Sequence, residues 1–448
     1  MNEILFQYER VNPTSWAYLS SLLVIALFFK FNRLFCVRNL DLLLLIFLAP
    51  GLLCIEQAFR GEVSDSVSQF GFYWLFGANA LLLVRSLADS SMVRRPLLEP
   101  NLSVGGLGFL TLALLFFLTV NVLKGDPYEA DLYAVQRAEH LSQREASELE
   151  QSTLDTHGPG FSLLFVMPHI STRALIADPI QENETVDAVQ QPDNPGNVIT
   201  ARVMAILCQV LIVTGILLIA ARHFENATLG LAAGTLYLLL PYTALWNGNV
   251  THALPGALLV WAIALYRRPF FSGIMIGLAC GAIYYPFALL PLWITFYWRR
   301  GLKRFITGFV LTLIALVVTL VFTSTDTAMF LASIRQMFGV TLPTMDQMSG
   351  VWQYWNGWYR VPVIAAFFGL GLSFAMWPAQ KNLGTLLSCS AALMLSVQFW
   401  HAHSGGLALA WYLPLLLLVV FRTNLEDRTA ANVVAPTRWD REPTAAAA

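Results

Sequence analysis

Apolar residues are grouped along the chain in long blocks that are separated by short polar segments. A bilayer core about 30 Å thick requires about 20 apolar residues as helix. Only helices satisfy their own backbone polar groups in lipid one segment at a time. The pattern therefore predicts an all-α, polytopic transmembrane helical bundle. Its blocks are Trp16–Phe29, Leu40–Ile55, Phe70–Leu87, Val104–Leu123, Ala201–Ala221, Ala227–Trp246, Thr251–Tyr266, Phe270–Tyr284, Tyr285–Trp298, Phe305–Phe322, Val361–Trp377, Leu383–Phe399 and Leu407–Phe421.

The Lys and Arg residues of the short connecting segments set the orientation of the bundle, because such residues stay on the cytoplasmic side. The stretch between Arg268 and Arg299 is too long for one helix and is positive at both ends. It is therefore predicted to cross twice, as a short helix pair that turns at Tyr284, Tyr285 and Pro286. With this pair the chain makes about 13 crossings, with its N-terminus outside and its C-terminus inside.

The composition changes this picture little but excludes other classes of protein. Of 448 residues, 56% are hydrophobic and 12% are charged, and the net charge is -1. Soluble domains carry about 25% charged residues, and nucleic-acid binders carry a basic surface. A nucleic-acid partner, a disordered chain and an ordinary soluble enzyme are therefore excluded. Five scattered cysteines indicate neither a disulfide framework nor a thiolate metal site.

The acidic residues are distributed unevenly. The polar segment 124–199, a large outer loop after the fourth helix, holds 13 of the 28 acids, whereas residues 200–325 hold only Glu225. Loops of this length are usually functional or disordered, and residues 130–149 have the pattern of an amphipathic helix. If the protein uses a carboxylate at its outer face, the large loop is the predicted source.

Four regions follow from the pattern. Residues 1–100 form an N-terminal three-helix transmembrane extension, and residues 101–325 form a transmembrane region that includes the outer loop. Residues 326–422 form a C-terminal transmembrane region, in which 324–358 is an outer segment rich in aromatic residues. The tail 423–448 is predicted to be disordered in the cytoplasm.

Several motifs follow one another in an order typical of one enzyme family. They are Gly-Asp-Pro-Tyr-Glu-Ala-Asp-Leu-Tyr at 125–133, His157-Gly158-Pro159-Gly160, Ala201-Arg202-Val203, Leu240-Pro241-Tyr242, the glycines at 273, 277 and 281 before Tyr284-Tyr285-Pro286, and late in the chain His401, His403 and Trp411-Tyr412-Leu413-Pro414. This order resembles the GT-C superfamily of integral membrane glycosyltransferases, in its bacterial polyprenyl-phosphate-mannose-type branch. The resemblance covers mainly residues 104–304. The three helices predicted over residues 16–87, which precede the helix that leads into the large loop, depart from the family's pattern.

The resemblance implies an inverting transferase that moves a sugar from a polyprenyl-phosphate donor to a glycan, lipid or protein acceptor. It implies a site on the outer face of the bacterial cytoplasmic membrane, among membrane lipids. No cofactor is certain. Six of the seven histidines lie on the predicted outer side, so a divalent metal stays an open alternative, although no pair has clean ligand spacing.

Three acids of the large loop are candidates for the general base, which takes the proton of the acceptor hydroxyl as the anomeric bond breaks. Asp131 matches the family's pattern best. Asp126 lies nearer to the end of the preceding helix, and Glu129 lies between them. The alternative for all three is a solvated acid near a helix N-terminus, where the helix dipole favours it.

The candidates for substrate binding each have a structural alternative. Arg202 could hold the donor phosphate, because its guanidinium matches two oxygens, or be a surface charge. His157 precedes a turn and could point into the site or simply occupy a loop. The remaining candidates are Asn249 and His252, which could instead be turn residues, the tyrosine pair Tyr284 and Tyr285, and Trp355, which could instead belong to an interfacial aromatic belt.

Two other functions compete. A lipid or solute transporter or flippase would carry charges within its helices, and the sequence places almost none there; only the break at 284–286 favours it. An O-antigen-ligase-like transferase would depend on Arg202 and His157 more than on the acids.

Overall fold

A computed structural model describes residues 12–61, 63–89, 98–143, 160–165, 195–324, 327–339 and 348–436. Within these ranges the regular secondary structure is helical and contains no strand, as the hydrophobic pattern predicts. Each apolar block coincides with one or two helices. The N-terminal helices are α1 (Pro13–Phe28), α2 (Val37–Ile46), α3 (Ala49–Phe59), α4 (Asp65–Ala88), α5 (Val104–Lys124), α6 (Glu129–Gln143) and α7 (160–165).

The second half continues in the same manner, and the break at 284–286 is confirmed by a 3₁₀ turn over Tyr285–Leu289. The helices are α8 (Pro195–His223), α9 (Ala227–Leu239), α10 (Pro241–Trp246), α11 (Val250–Ala264), α12 (Pro269–Ala282), α13 (Leu290–Tyr297), α14 (Leu302–Thr323), α15 (Thr327–Met337), α16 (Arg360–Met376), α17 (Leu383–Val397), α18 (Leu413–Phe421) and α19 (Ala430–Val433).

Six helical segments in the described part of the chain are long and apolar enough to cross a membrane. This is compatible with an integral membrane protein. Several other apolar helices are shorter, because prolines divide them: Pro241 separates α9 from α10, and Pro286 lies in the turn before α13. The six segments are Val37–Phe59, Asp65–Ala88, Val104–Lys124, Pro195–His223, Leu302–Phe322 and Gly357–Met376.

Helices α12 and α14 approach each other closely through glycines. A Cβ on Gly308 would overlap the carbonyl oxygen of Phe270, and a Cβ on Gly273 would overlap that of Phe305. We expect Gly308→Ala to destabilise the protein by about 1–3 kcal/mol, because overpacking forces the two backbones apart. Thermal unfolding in detergent measures this. Gly369→Ala is the matched control, because no atom lies within 4 Å of its Cβ; equal melting temperatures for the two variants would contradict the prediction.

The N-terminal helices are packed onto the C-terminal part of the chain. The Tyr412 hydroxyl donates to Asn79 Oδ1 at 2.5 Å, and the Tyr354 hydroxyl donates to Asp65 Oδ1 at 2.9 Å. Both acceptors lie on α4. The extension before residue 100 is therefore joined to the region 326–422 at two levels of the bundle.

Four charged residues form a buried network where α2, α4 and the end of α18 meet. Arg85 binds both carboxylate oxygens of Asp41, at 2.5 and 2.8 Å, and also lies 3.3 Å from Asp89. Arg422 donates to Asp89 at 2.8 Å. The expectation that the helices carry almost no charge is therefore wrong for α2 and α4, where opposite charges neutralise one another.

The prediction that the tail after Arg422 is disordered is wrong for residues 423–436. Leu425, Ala430 and Val434 are buried against the bundle. Arg300 donates to the carbonyl of Ala431, and Arg304 to that of Ala435 at 2.8 Å. The segment reads as polar in the sequence, but its few apolar side chains face inward and its carbonyls pair with arginines. Residues 437–448 lie outside the described residues.

Candidate functional site

The first part of the large loop is helical and packs onto the bundle. Four residues separate the end of α5 from the start of α6, and Glu129 and Asp131 lie in the first turn of α6. Leu132 and Val135 are buried on the inner face of α6, as the amphipathic pattern predicts. Glu129 is exposed, whereas Asp131 is buried completely. The two acids therefore have different surroundings although they are only two residues apart.

Asp131 is bound to the beginning of α11. Its Oδ2 accepts a hydrogen bond from the backbone N–H of Val250 at 2.9 Å. Its Oδ1 is buried and has no hydrogen-bond partner among the described residues. Burial raises the pKa of this carboxyl to about 7, and the N–H groups of Val250 and Thr251 oppose the increase. Asp131 therefore changes its charge near neutral pH.

The turn before α11 is held by side-chain amides. Asn249 caps the helix, and its Oδ1 accepts from the His252 N–H at 3.1 Å. Asn247 donates to the carbonyl of Leu118 at 2.8 Å, and Gln209 donates to the carbonyl of Asn247 at 3.2 Å. Asn249 thus serves as a helix cap, and substrate binding by Asn249 stays a prediction.

His252 faces Tyr242 of α10. Its Nδ1 lies 3.0 Å from the Tyr242 hydroxyl, and the two rings are nearly parallel. Tyr242 in turn stacks on Trp246. Substrate binding by His252 stays a prediction, with the histidine placed on the first turn of α11.

A cleft open to solvent lies between the ends of α5 and α8 and the turn before α11. The space between its walls, including the part open to solvent, is about 330 Å³. Asp126 is exposed there, and Arg202 donates to the carbonyl of Gly125 at 3.0 Å. The cleft thus brings together a carboxylate and a guanidinium among polar groups. Its lining includes Asn121, Asp126, Tyr128, Arg202, Asn247 and Gly248.

The helix that carries Arg202 begins before the apolar block predicted at Ala201–Ala221. Helix α8 begins at Pro195, so Arg202 lies two turns along it. Its side chain is half-buried, and its Nε is buried without a hydrogen-bond partner in the part of the chain that the structure describes. The positively charged side chain of Arg202 therefore forms part of the wall of the cleft.

Tyr284 and Tyr285 belong to a second, aromatic cluster. The Tyr284 hydroxyl donates to that of Tyr285 at 3.0 Å, and the Tyr285 oxygen lies 2.8 Å from His401 Nδ1. Trp411 packs within 5.4 Å of the Tyr285 ring, and its Nε1–H donates to the carbonyl of Thr251 at 3.2 Å. Trp411 therefore joins this cluster to the start of α11, which the sequence could not show.

Trp355 lies away from both clusters. Its ring stacks on Tyr73 at 5.6 Å and meets the edge of Phe76 at 5.3 Å, so that it packs on α4. Its role in binding substrate stays a prediction. His157 lies outside the described residues.

The later part of the large loop contributes α7, which is inserted between other helices. Gly160 lies against the backbone of Gly281 in α12, and Leu163 packs with Leu316 and Leu320 of α14. This short apolar segment is therefore packed against α12 and α14.

Within the described ranges, no group of three His, Cys, Asp or Glu residues could hold a metal ion. No protein-family model matches the chain, and a comparison with curated proteins finds no match. The chemistry of the site therefore rests on its own geometry: an exposed acid and an arginine in one cleft, with a buried acid beside it.

Proposed function

We propose that the protein is an integral membrane glycosyltransferase of the GT-C type, with about 13 crossings and its site on the outer face of the bacterial cytoplasmic membrane. It moves a sugar from a polyprenyl-phosphate donor to a glycan, lipid or protein acceptor. The observation that carries this proposal is the cleft at the ends of α5 and α8, lined by both Asp126 and Arg202.

The two residues suit the two halves of an inverting transfer. Arg202 carries a planar, permanently charged group that binds phosphate oxygens in pairs. Asp126 would take the proton of an acceptor hydroxyl while its oxygen attacks the anomeric carbon. The bond between that carbon and the donor phosphate breaks on the opposite side, and the lipid phosphate leaves with the electron pair. The reaction needs one base, because the leaving phosphate already bears negative charge.

The geometry favours Asp126 over Asp131 as the group that touches substrate. Asp126 is exposed in the cleft, whereas Asp131 is fully buried and holds Val250. Glu129 is exposed but does not line the cleft. We therefore assign the proton transfer to Asp126 and keep Asp131 as the alternative base.

Replacing Asp126 with asparagine tests the proposal. In lipid nanodiscs supplied with a panel of polyprenyl-phosphate hexoses, we expect Asp126→Asn to lower the rate of sugar transfer about 100-fold or more, the usual contribution of a general base. Glu129→Gln is the matched control, because Glu129 is an exposed carboxylate three residues away. If Asp126→Asn and Asp131→Asn both transfer sugar at the full rate, a carboxylate base is ruled out.

The same variants separate the competing functions. An O-antigen-ligase-like transferase would tolerate Asp126→Asn and lose its activity in Arg202→Ala. A transporter or flippase is favoured by one observation, the buried charges on α2 and α4. It would move lipid or solute across a vesicle membrane without any sugar transfer, and would lose that activity when Arg85 is replaced.

A further inference from the structure

The turn 247–250 forms one wall of the cleft and leads directly into α11. Asn247 and Gly248 line the cleft, and Val250 is the first residue of the helix. The position of this turn therefore sets the width of the cleft. Two side chains from distant parts of the sequence form hydrogen bonds at its end, one with Val250 and one with the next residue, Thr251.

Asp131 holds the turn from the side of the large loop. Its Oδ2 accepts from Val250 N–H at 2.9 Å. This N–H is one of the first four of α11, which have no partner within the helix, and Asn249 caps another of them, that of His252. A negative charge at this end of a helix also interacts favourably with the helix dipole. Since the carboxyl is completely buried and does not line the cleft, it acts on the turn rather than on a molecule in the cleft.

Trp411 binds Thr251, the residue that follows the turn. Its Nε1–H donates to the carbonyl of Thr251 at 3.2 Å, and its ring is buried. Gly256, farther along α11, lies against the carbonyl of Ala410, where a Cβ would overlap it. The first two turns of α11 are thus fixed against the segment 410–411.

We propose that Asp131 is a positioning residue: together with Trp411 it fixes the turn 247–250, so that the wall made by Asn247 and Gly248 fits the head group of the ligand that enters the cleft. The nature of that ligand, a phosphate-linked sugar, rests on the proposed function. The positioning of the turn does not, because it follows from the two hydrogen bonds.

If Asp131 positions the turn, Asp131→Asn and Asp131→Ala should have different effects. Asparagine keeps an oxygen that accepts from Val250, whereas alanine removes it. We expect Asp131→Ala to raise KM for the polyprenyl-phosphate donor about tenfold, with a much smaller change in kcat. Asp131→Asn should restore KM to within about threefold of the wild-type value. A base would behave differently, because Asp131→Asn would then lower kcat about 100-fold, like Asp126→Asn.

Hydrogen exchange at the turn tests the positioning without any enzymatic assay. The amides of Val250 and Thr251 should exchange about tenfold faster in Asp131→Ala than in the wild-type protein, because a buried hydrogen bond is lost. They should exchange at the wild-type rate in Asp131→Asn. Trp411→Phe keeps the ring and removes the donor, and should accelerate exchange in the same turn.

The outcomes distinguish the two proposals. Faster exchange in Asp131→Ala without detectable sugar transfer by the wild-type protein would overturn the proposed function and support the positioning. Unchanged exchange in both Asp131→Ala and Trp411→Phe would overturn the positioning, whatever the activity. A loss of kcat in Asp131→Asn equal to that in Asp126→Asn would overturn it as well, and would make Asp131 the base.

Discussion

Replacing Asp89 with alanine should destabilise the protein by about 3–5 kcal/mol, the cost of removing one partner from a buried ion pair. Asp89 is completely buried and binds Arg422 at 2.8 Å and Arg85 at 3.3 Å. Arg85 keeps its two bonds to Asp41, but Arg422 loses this carboxylate. Because Arg422 follows α18 while Arg85 lies in α4, the variant should loosen the N-terminal helices from the end of the bundle.

Unfolding in detergent, followed by circular dichroism, measures the effect. Glu56→Ala is the matched control: it removes a pair of the same chemistry with Arg60, 2.8 Å long, in the more exposed setting of α3. Exposed pairs contribute about 0–1 kcal/mol, so the control should unfold almost like the wild-type protein. The double variant Asp89→Ala, Arg422→Ala should recover part of the loss, because no charge is then left without its carboxylate partner. If Asp89→Ala unfolded like Glu56→Ala, the network would contribute nothing to the fold.

The helices could be predicted from the sequence because their signal is local. Each apolar block carries its own evidence, as in Val104–Leu123, which is observed as Val104–Lys124. The turn at 284–286 was also predictable, since positive charges flank a stretch too long for one helix. The buried network was not, because Asp41, Arg85 and Arg422 are ordinary charges at the ends of apolar blocks until the fold brings them together.

The candidate site was predictable in its residue types but not in its arrangement. The concentration of acids in one loop pointed to the segment 126–131, and the arginine at 202 was noted for its chemistry. Which acid faces solvent depends on how α6 packs, and that places Asp126 in the cleft and Asp131 beneath it. The contact between Trp411 and Thr251 joins residues 160 positions apart, and no sequence pattern marks such a pair.

We expect Asp131→Asn to stabilise the protein at neutral and alkaline pH. The size of the stabilisation should depend on pH. Burial raises the pKa of this carboxyl from 3.8 to about 7 in the folded protein. Between about pH 4 and pH 7, the folded state therefore keeps a proton on Asp131 that the unfolded chain has already released. The stability of the wild-type protein falls as the pH rises through this window and then levels off, because ionisation of a buried carboxyl opposes folding.

The free energy of unfolding falls by about 1.4 kcal/mol for each pH unit, so the loss across this pH range is at most about 4 kcal/mol. Asparagine has the same shape, can accept from the Val250 N–H, and does not ionise. Melting temperatures in detergent should therefore coincide for the two proteins near about pH 4 and separate as the pH approaches about 8, with Asp131→Asn the more stable. Glu129→Gln, on the exposed side of the same turn, should follow the wild-type curve throughout. A constant difference between Asp131→Asn and the wild-type protein across this range would mean that the buried carboxyl does not titrate within it, and that the N–H groups of Val250 and Thr251 on α11 offset its burial.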